Sequence, residues 1–263
     1  TLTTSGDLKI TTDQDLTAIG QNLAAGNITL SGKNVNLSAS QTGGANITIT
    51  ATSGEVNTSS ATVATPGTLG ITAKANDDQS LNNFKGILSA KQLNLDIANL
   101  NNTQGQITQT GTGDTTLSLT SPTSTLNNTS GTIATNSANL SLSAYTIDNT
   151  DGKLQHAGTG TLDIAANALT NLRGKIISNQ NANLQLASLD NIQGSVYAKN
   201  NLDVSATGTI TNTSFIAAQG NTTLSAKTLA SSSTSVLAAG VKADGTLTTS
   251  GDLKITTDQD LTA

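Results

Sequence analysis

One short pattern recurs along this chain and restricts its fold more than any other feature. An apolar residue, a small polar one and an Asn are followed by two spacers, a Gly, another spacer and an apolar residue. Ile147-Asp148-Asn149-Thr150-Asp151-Gly152-Lys153-Leu154 is a full copy. Others carry the pairs Asn83/Gly86, Asn102/Gly105, Asn128/Gly131, Asn171/Gly174 and Asn191/Gly194, and a worn copy at Asn212 lacks the Gly and is one residue short. Successive Asn residues lie 19 to 26 positions apart. A period near twenty means a solenoid, in which each copy is one coil resting on its neighbours.

A second ladder runs between the copies as apolar–polar–apolar triplets. Its rungs are Leu8/Ile10, Ile28/Leu30, Ile47/Ile49, Leu69/Ile71, Leu93/Leu95, Leu117/Leu119, Leu140/Leu142, Leu162/Ile164, Leu184/Leu186, Leu202/Val204 and Leu224, and Leu253/Ile255 restarts the series. Alternation with period two is the strand signature, Leu and Ile pointing inward and Thr, Ser, Lys or Asp outward. A third short strand follows the Gly, as in Gly131-Thr132-Ile133-Ala134-Thr135. Three strands per coil predict an all-β, triangular parallel β-helix of about 22 residues per coil.

The corners explain the Asn and the Gly. Asn tolerates left-handed backbone, and Gly accepts positive φ without steric cost. Equivalent Asn residues stacked one rung apart, at about 4.8 Å, let each amide donate to the next. The expected turn ladder is therefore Asn83, Asn102, Asn128, Asn149, Asn171, Asn191 and Asn212 with Gly86, Gly105, Gly131, Gly152, Gly174 and Gly194. Residues 51–68, 76–80 and 121–124 read as corner loops, and 230–245 as the least regular coil.

The first 18 residues, TLTTSGDLKITTDQDLTA, reappear unchanged as residues 246–263. Biased composition does not produce such identity. The expected organisation is one tandem block, 1–245, of about eleven coils, followed by the start of the next block, 246–263. The chain opens on Thr1 and reads as an internal fragment of a longer protein.

Composition agrees with a thin core. Aromatic residues are 2% and charged residues 11% of the chain, too few bulky side chains to fill a wide globule. Regular alternation and a net charge of only -5 separate it from a disordered Ser/Thr/Asn/Gly-rich segment. There is no Cys, hence no disulfide or thiol chemistry, which suits a chain that crosses membranes unfolded. No apolar run reaches the length of a membrane span, so no membrane insertion by this segment is expected. With 12 basic and 17 acidic residues and no basic cluster, nucleic acid is not an expected partner.

Chemistry-bearing residues are sparse. His156 is the only His, and as a corner residue it should be exposed; a hydrolytic triad would need it set against a nucleophile and an acid. The paired carboxylates Asp13/Asp15 and Asp77/Asp78, the candidates for sugar cleavage, lie in turn-like stretches without a basic partner. No calcium-binding repeat occurs, and Gly111-Thr112-Gly113 lacks the rest of a phosphate-binding fingerprint. The triplets beginning at Asn27, Asn36, Asn46, Asn139 and Asn221 fit a glycosylation sequon but follow from composition. Tyr145, Tyr197, Phe84 and Phe215 do not recur at one place in each coil, so core or corner packing is expected of them. No catalytic, cofactor-binding or metal-ligating residue is expected, and the chain reads as a non-enzyme.

Ile147-Asp148-Asn149-Thr150-Asp151-Gly152-Lys153-Leu154 and Leu189-Asp190-Asn191-Ile192-Gln193-Gly194 resemble the repeats of the filamentous haemagglutinin family of two-partner secretion exoproteins, which includes contact-dependent growth inhibition exoproteins. Ser5-Gly6-Asp7-Leu8-Lys9-Ile10 through Lys33-Asn34-Val35-Asn36-Leu37-Ser38-Ala39 is similar to that family's other repeat type. The resemblance implies a right-handed parallel β-helix, exported through an outer-membrane secretion partner and displayed as a fibre on a Gram-negative bacterium. The expected function is then the structural shaft of a secreted adhesin. Host or bacterial surface receptors and neighbouring copies of the block are its implied partners, and a glycan- or self-binding module is the alternative. The family's secretion domain and toxic termini have no counterpart in these residues.

Overall fold

The computed structural model describes residues 1–73, 80–119, 121–248 and 250–262. Asp77, Asp78 and the expected loop at 76–80, apart from Ser80, lie outside the described residues. All regular structure among the described residues is strand, in 29 segments. Every strand-to-strand pairing is parallel and joins one coil to the next, giving about 11 turns of ~21 residues.

Each coil has three faces. The rung face carries the triplets, for example Leu8–Thr11, Ile28–Gly32, Ile47–Ala51 and Thr115–Ser118. The next face leads into the Asn, as in Val35–Asn36, Ser80–Asn82, Asn99–Asn101 and Thr125–Asn127. The third follows the Gly, as in Gln106–Gln109, Thr132–Thr135, Lys153–His156 and Lys175–Ser178. Some strands bend round a corner and serve two faces: Leu140–Asp148 pairs through residues 140–143 on the rung face and 146–148 on the next. Hydrogen bonds therefore link the strands into two continuous sheets of 15 and 14 strands around a three-sided coil.

Leu, Ile and Val at alternate positions of all three faces meet along the axis. Ile28, Leu30, Ile47, Ile49, Leu69 and Ile71 on one face, and Leu81, Leu100, Leu126 and Ile147 on another, are fully or almost fully buried. Burying one such side chain stabilises by about 1.5–3 kcal/mol. Because every inward residue touches the same column above and below, the core is narrow and continuous, and large aromatics are not needed to fill it.

The register departs from the expected rungs twice. Thr115/Leu117, not Leu117/Leu119, stacks beneath Leu140/Leu142. Ala182/Leu184, not Leu184/Leu186, lies between Leu162/Ile164 and Leu202/Val204. A slip of two residues keeps the same face of a strand inward, so alternation alone cannot distinguish the two registers. Leu119 and Leu186 are buried in either case. Thr222, itself buried, completes the rung with Leu224.

Residues 51–68, expected as a loop, form a regular stretch of coil with strands Val56–Asn57 and Thr62–Ala73. Val56 and Val63 point inward, and Pro66 sits at the register shift between Thr65 and Thr68, where a missing N–H breaks no ladder bond. The weakly specified stretch near 230–245 is irregular. After Val236–Ala238 the chain leaves the coil, closes one antiparallel bridge between Val241 and Leu247, and returns as Leu253–Thr257. Tyr197 is buried beneath this excursion, its hydroxyl donating to the Val241 carbonyl at 3.4 Å and its ring centroid 6.4 Å from that of Phe215. Phe84 and Tyr145 are instead exposed, Phe84 with the Lys85 ammonium 5.0 Å from its ring centre. Packing thus accounts for two of the four aromatics.

Candidate functional site

The feature with the most built geometry is the corner that holds the recurring Asn. The seven asparagines form one file along the axis, and the six from Asn83 to Asn191 each donate from Nδ2 to Oδ1 of the Asn in the following coil. The distances are 2.8 Å from Asn83 to Asn102, 2.7 Å to Asn128, 2.8 Å to Asn149, and 2.7 Å for each of the links to Asn171, Asn191 and Asn212. The Thr58 hydroxyl starts the file by donating to Asn83 Oδ1 at 2.9 Å. All seven are fully buried. Their amides also reach backbone carbonyls, such as Asn128 Nδ2 to Gly131 O and to Lys153 O, both at 3.2 Å. Buried amides are tolerated because each is satisfied by its neighbours.

The turn works differently from the sequence-based expectation. Neither the Asn residues nor the six pattern glycines have positive φ. The left-handed residue is the one just before the Gly: Lys85, Gln104, Ser130, Asp151, Arg173 and Gln193 have φ between 53° and 56°. The Gly N–H then closes the turn on the Asn carbonyl, at 3.0 Å for Gly86 and 2.9 Å for Gly105 and Gly131. Gly is required for space. A Cβ on Gly105, Gly131, Gly152, Gly174 or Gly194 would come within 3.0 Å of the Asn carbonyl oxygen of the preceding coil, and on Gly86 of the Thr58 oxygen. The worn copy, Asn212-Thr213-Ser214-Phe215, shortens the turn by a residue, and there Asn212 Oδ1 accepts from Ser214 N at 3.3 Å.

Two further Asx columns frame this corner, and the reading of the sequence gave neither a role. The residue before the buried Asn caps the turn: Asn101 Oδ1 accepts from Thr103 N at 3.1 Å, Asn127 from Thr129 at 2.9 Å and Asp148 from Thr150 at 2.8 Å. In these three pairs the outer side chain caps its own turn and the inner one joins coils. A second column stands just before the rungs. Asp7 Oδ1 accepts from Asn27 N at 2.7 Å, Asn27 Oδ1 from Asn46 Nδ2 at 2.9 Å, and Asn201 and Asn221 continue it near the other end. The signal for it was the Asn or Asp that precedes most triplets. Asn27, Asn46, Asn139 and Asn221, the exposed sequon residues of this column, use their amide oxygens to bind the next coil.

His156 is not an exposed corner residue. It ends the strand Lys153–His156 facing inward, between Thr135 and Ser178 of the adjacent coils, and is fully buried. Nε2 lies 2.9 Å from the Ser137 carbonyl and 3.1 Å from that of Ala138, so this nitrogen carries a proton; Nδ1 lies 3.3 Å from Ser178 Oγ. The alternation Leu154–His156 continues the strand one step past the point where a corner was expected. Asp15 Oδ1 accepts from Asn34 Nδ2 at 2.8 Å and ties the first coil to the second. Arg173 and Asp151, at left-handed positions of consecutive turns, make a two-point ion pair with both contacts at 2.7 Å. The hydrogen bond to Arg173 holds the Asp151 carboxyl below the usual range, and the same bond raises Arg173.

Residues 1–54, 110–171, 157–214 and 198–263 match the haemagglutinin repeat. The chain belongs to the haemagglutinin repeat family. Two relatives are similar over shorter stretches. "Toxin CdiA" of Yersinia pestis is 54% identical over 102 residues, 39% of this chain and 3% of that protein. "tRNA nuclease CdiA-2" of Burkholderia pseudomallei (strain 1026b) is 41% identical over 91 residues, 33% of this chain and 3% of its own length. The similarity therefore spans a small part of each of these long relatives. No solved structure matches the chain. The haemagglutinin repeat is thus, in this chain, a β-solenoid coil, and its Asn and Gly are the parts that fasten coil to coil.

Proposed function

We propose that the chain is a non-catalytic, load-carrying shaft segment of a secreted, surface-displayed exoprotein. The observation that carries this reading is the unbroken file of buried Asn amides beside a continuous aliphatic core, which ties each coil to the next over most of the length. Such a rod resists bending and adds length in proportion to residues, the properties a spacer needs. The long relatives named as toxin and tRNA nuclease match only in this repeat region, which fits a segment that presents another part of the protein at a distance. In this reading the parent leaves a Gram-negative cell through an outer-membrane partner. The absence of Cys and the coil-by-coil contacts let the chain pass unfolded and fold as it emerges. Adhesion to a host or bacterial surface is then a property of the assembled fibre.

In-frame removal of residues 1–245 from the parent protein tests this. The displayed fibre should shorten by about 53 Å, eleven rungs at ~4.8 Å, while export continues. Loss of a hydrolytic or nucleolytic activity on that deletion, with fibre length unchanged, would contradict it.

A further inference from the structure

Charge is spread unevenly over the three faces. The third-face strands Gln106–Gln109, Thr132–Thr135, Lys153–His156, Lys175–Ser178, Ser195–Ala198 and Phe215–Ala218 contain no Asp or Glu. In the same part of the molecule the rung face carries Asp163 and Asp203. Lys153 pairs in register with Lys175, beside the inward pair Leu154 and Ile176, so two ammonium groups stand one coil apart on the outward side. Lys199, just past the strand Ser195–Ala198, adds a third in the next coil and is exposed. Like charges opposite each other on neighbouring strands are unfavourable, and no acid on this face offsets them. Asp151, at the adjoining corner, is already held at two points by Arg173.

A trough runs along the axis beside these lysines. It consists of two adjoining hollows of about 380 Å³ and about 500 Å³, and Gln155 and Ala157 line both. The register Thr108–Ala134–Gln155–Ile177–Tyr197 carries the trough across four coil steps, about 19 Å. Thr110, Asn136 and Asn179 give its wall hydroxyls and amides, Ile177 gives it an aliphatic patch, and Lys199 stands at its rim. No residue lining either hollow is acidic. A cleft lined by one sign of charge gathers the opposite sign. We propose that this trough binds a linear polysaccharide bearing carboxylate groups, laid along the fibre axis. Amides both donate and accept, as sugar hydroxyls do, and the aliphatic patch suits the apolar face of a sugar ring. A polymer with one carboxylate per residue meets Lys153, Lys175 and Lys199 in three successive coils. An extended peptide has no strand edge to join, since Lys153–His156 and Lys175–Ser178 are paired on both sides. Single-stranded nucleic acid seeks exposed rings for its bases, and the ring at this site, Tyr197, is buried.

Titration calorimetry of the full chain with polygalacturonate tests this, with its fully methyl-esterified form as the uncharged equivalent and poly(U) as an unrelated polyanion. Polygalacturonate should bind saturably and more weakly as salt is raised, and the ester and poly(U) should bind far less. The variant K153Q/K175Q/K199Q should weaken binding by about tenfold or more. K9Q/K33Q/K227Q removes three exposed lysines from elsewhere, leaving the same net charge, and should change affinity less than about twofold. Ala157→Trp fills the trough at an exposed position without altering charge and should abolish binding, with the urea midpoint confirming that each variant is folded. No saturable binding by the unmodified chain overturns the proposal. So does equal loss in the two lysine variants, undiminished binding by Ala157→Trp, or equal affinity for the ester or poly(U).

Discussion

At the scale of single residues, the buried Asn file is the feature most exposed to test. Asn149→Ala leaves Asn171 Oδ1 without its donor, out of reach of water, while Asn128 Nδ2 loses its side-chain acceptor but keeps the Gly131 and Lys153 carbonyls at 3.2 Å. One orphaned group costs about 1–3 kcal/mol, so urea unfolding should show a loss of that order. Removal of the half-buried Asn127 or Asp148 caps should cost less, since water can reach the freed amide. The Gly positions give the opposite contrast. Gly174→Ala must push the Asn149 carbonyl away and should destabilise by several kcal/mol, whereas Arg173→Gly relieves a left-handed backbone that costs a non-Gly residue about 1–2 kcal/mol. The ion pair sets a small pH dependence. Asp151 has a lowered folded-state pKa, so its contribution is present above the ordinary carboxylate range and is lost as pH falls through the folded value. Both partners are solvent-exposed, so Arg173→Gln should remove that acid-side dependence while changing stability at neutral pH little, and added salt should mimic it. The buried Asn and the Gly were legible because they keep their identity and spacing. The left-handed position was hidden because Lys, Gln, Ser, Asp and Arg all occupy it; what it shares is backbone shape, not side-chain chemistry.

At the scale of the strand and the coil, stability is the sum of contacts with two neighbours. Leu142→Asp places a charge in the axis between Leu117 and Ile164, where no counter-ion faces it. Hydrogen exchange should show local opening of residues near 117, 142 and 164 while Leu30 and Ile49, several coils away, stay protected. A single cooperative loss of protection along the whole chain would contradict nearest-neighbour energetics. Alternation announced the strands and their inward faces, including the third strand after the Gly. It could not fix the register, because moving Leu117 or Leu184 by two positions leaves the apolar face unchanged. It also missed the strands within 51–68, where single inward residues, Val56 and Val63, do the work of a triplet. His156 was misplaced for a related reason: a polar side chain on the inward face looks, in sequence, like the start of a corner.

At the scale of the whole molecule, the period of about twenty residues determined the architecture without any knowledge of which residues touch. The excursion through residues 239–248 and 250–252, with the 31-residue step from Thr222 to Leu253, was visible only as a stretch without rungs, since a segment outside the coil obeys no core periodicity. The central claim is that the backbone climbs one strand spacing per coil, so length follows coil number. Small-angle X-ray scattering on the 263-residue chain and on a chain with residues 1–245 duplicated measures that directly. The longer protein should gain about 53 Å in maximum dimension at unchanged cross-sectional radius. An increase shared among all three dimensions, as for a compact globule of twice the mass, would contradict it.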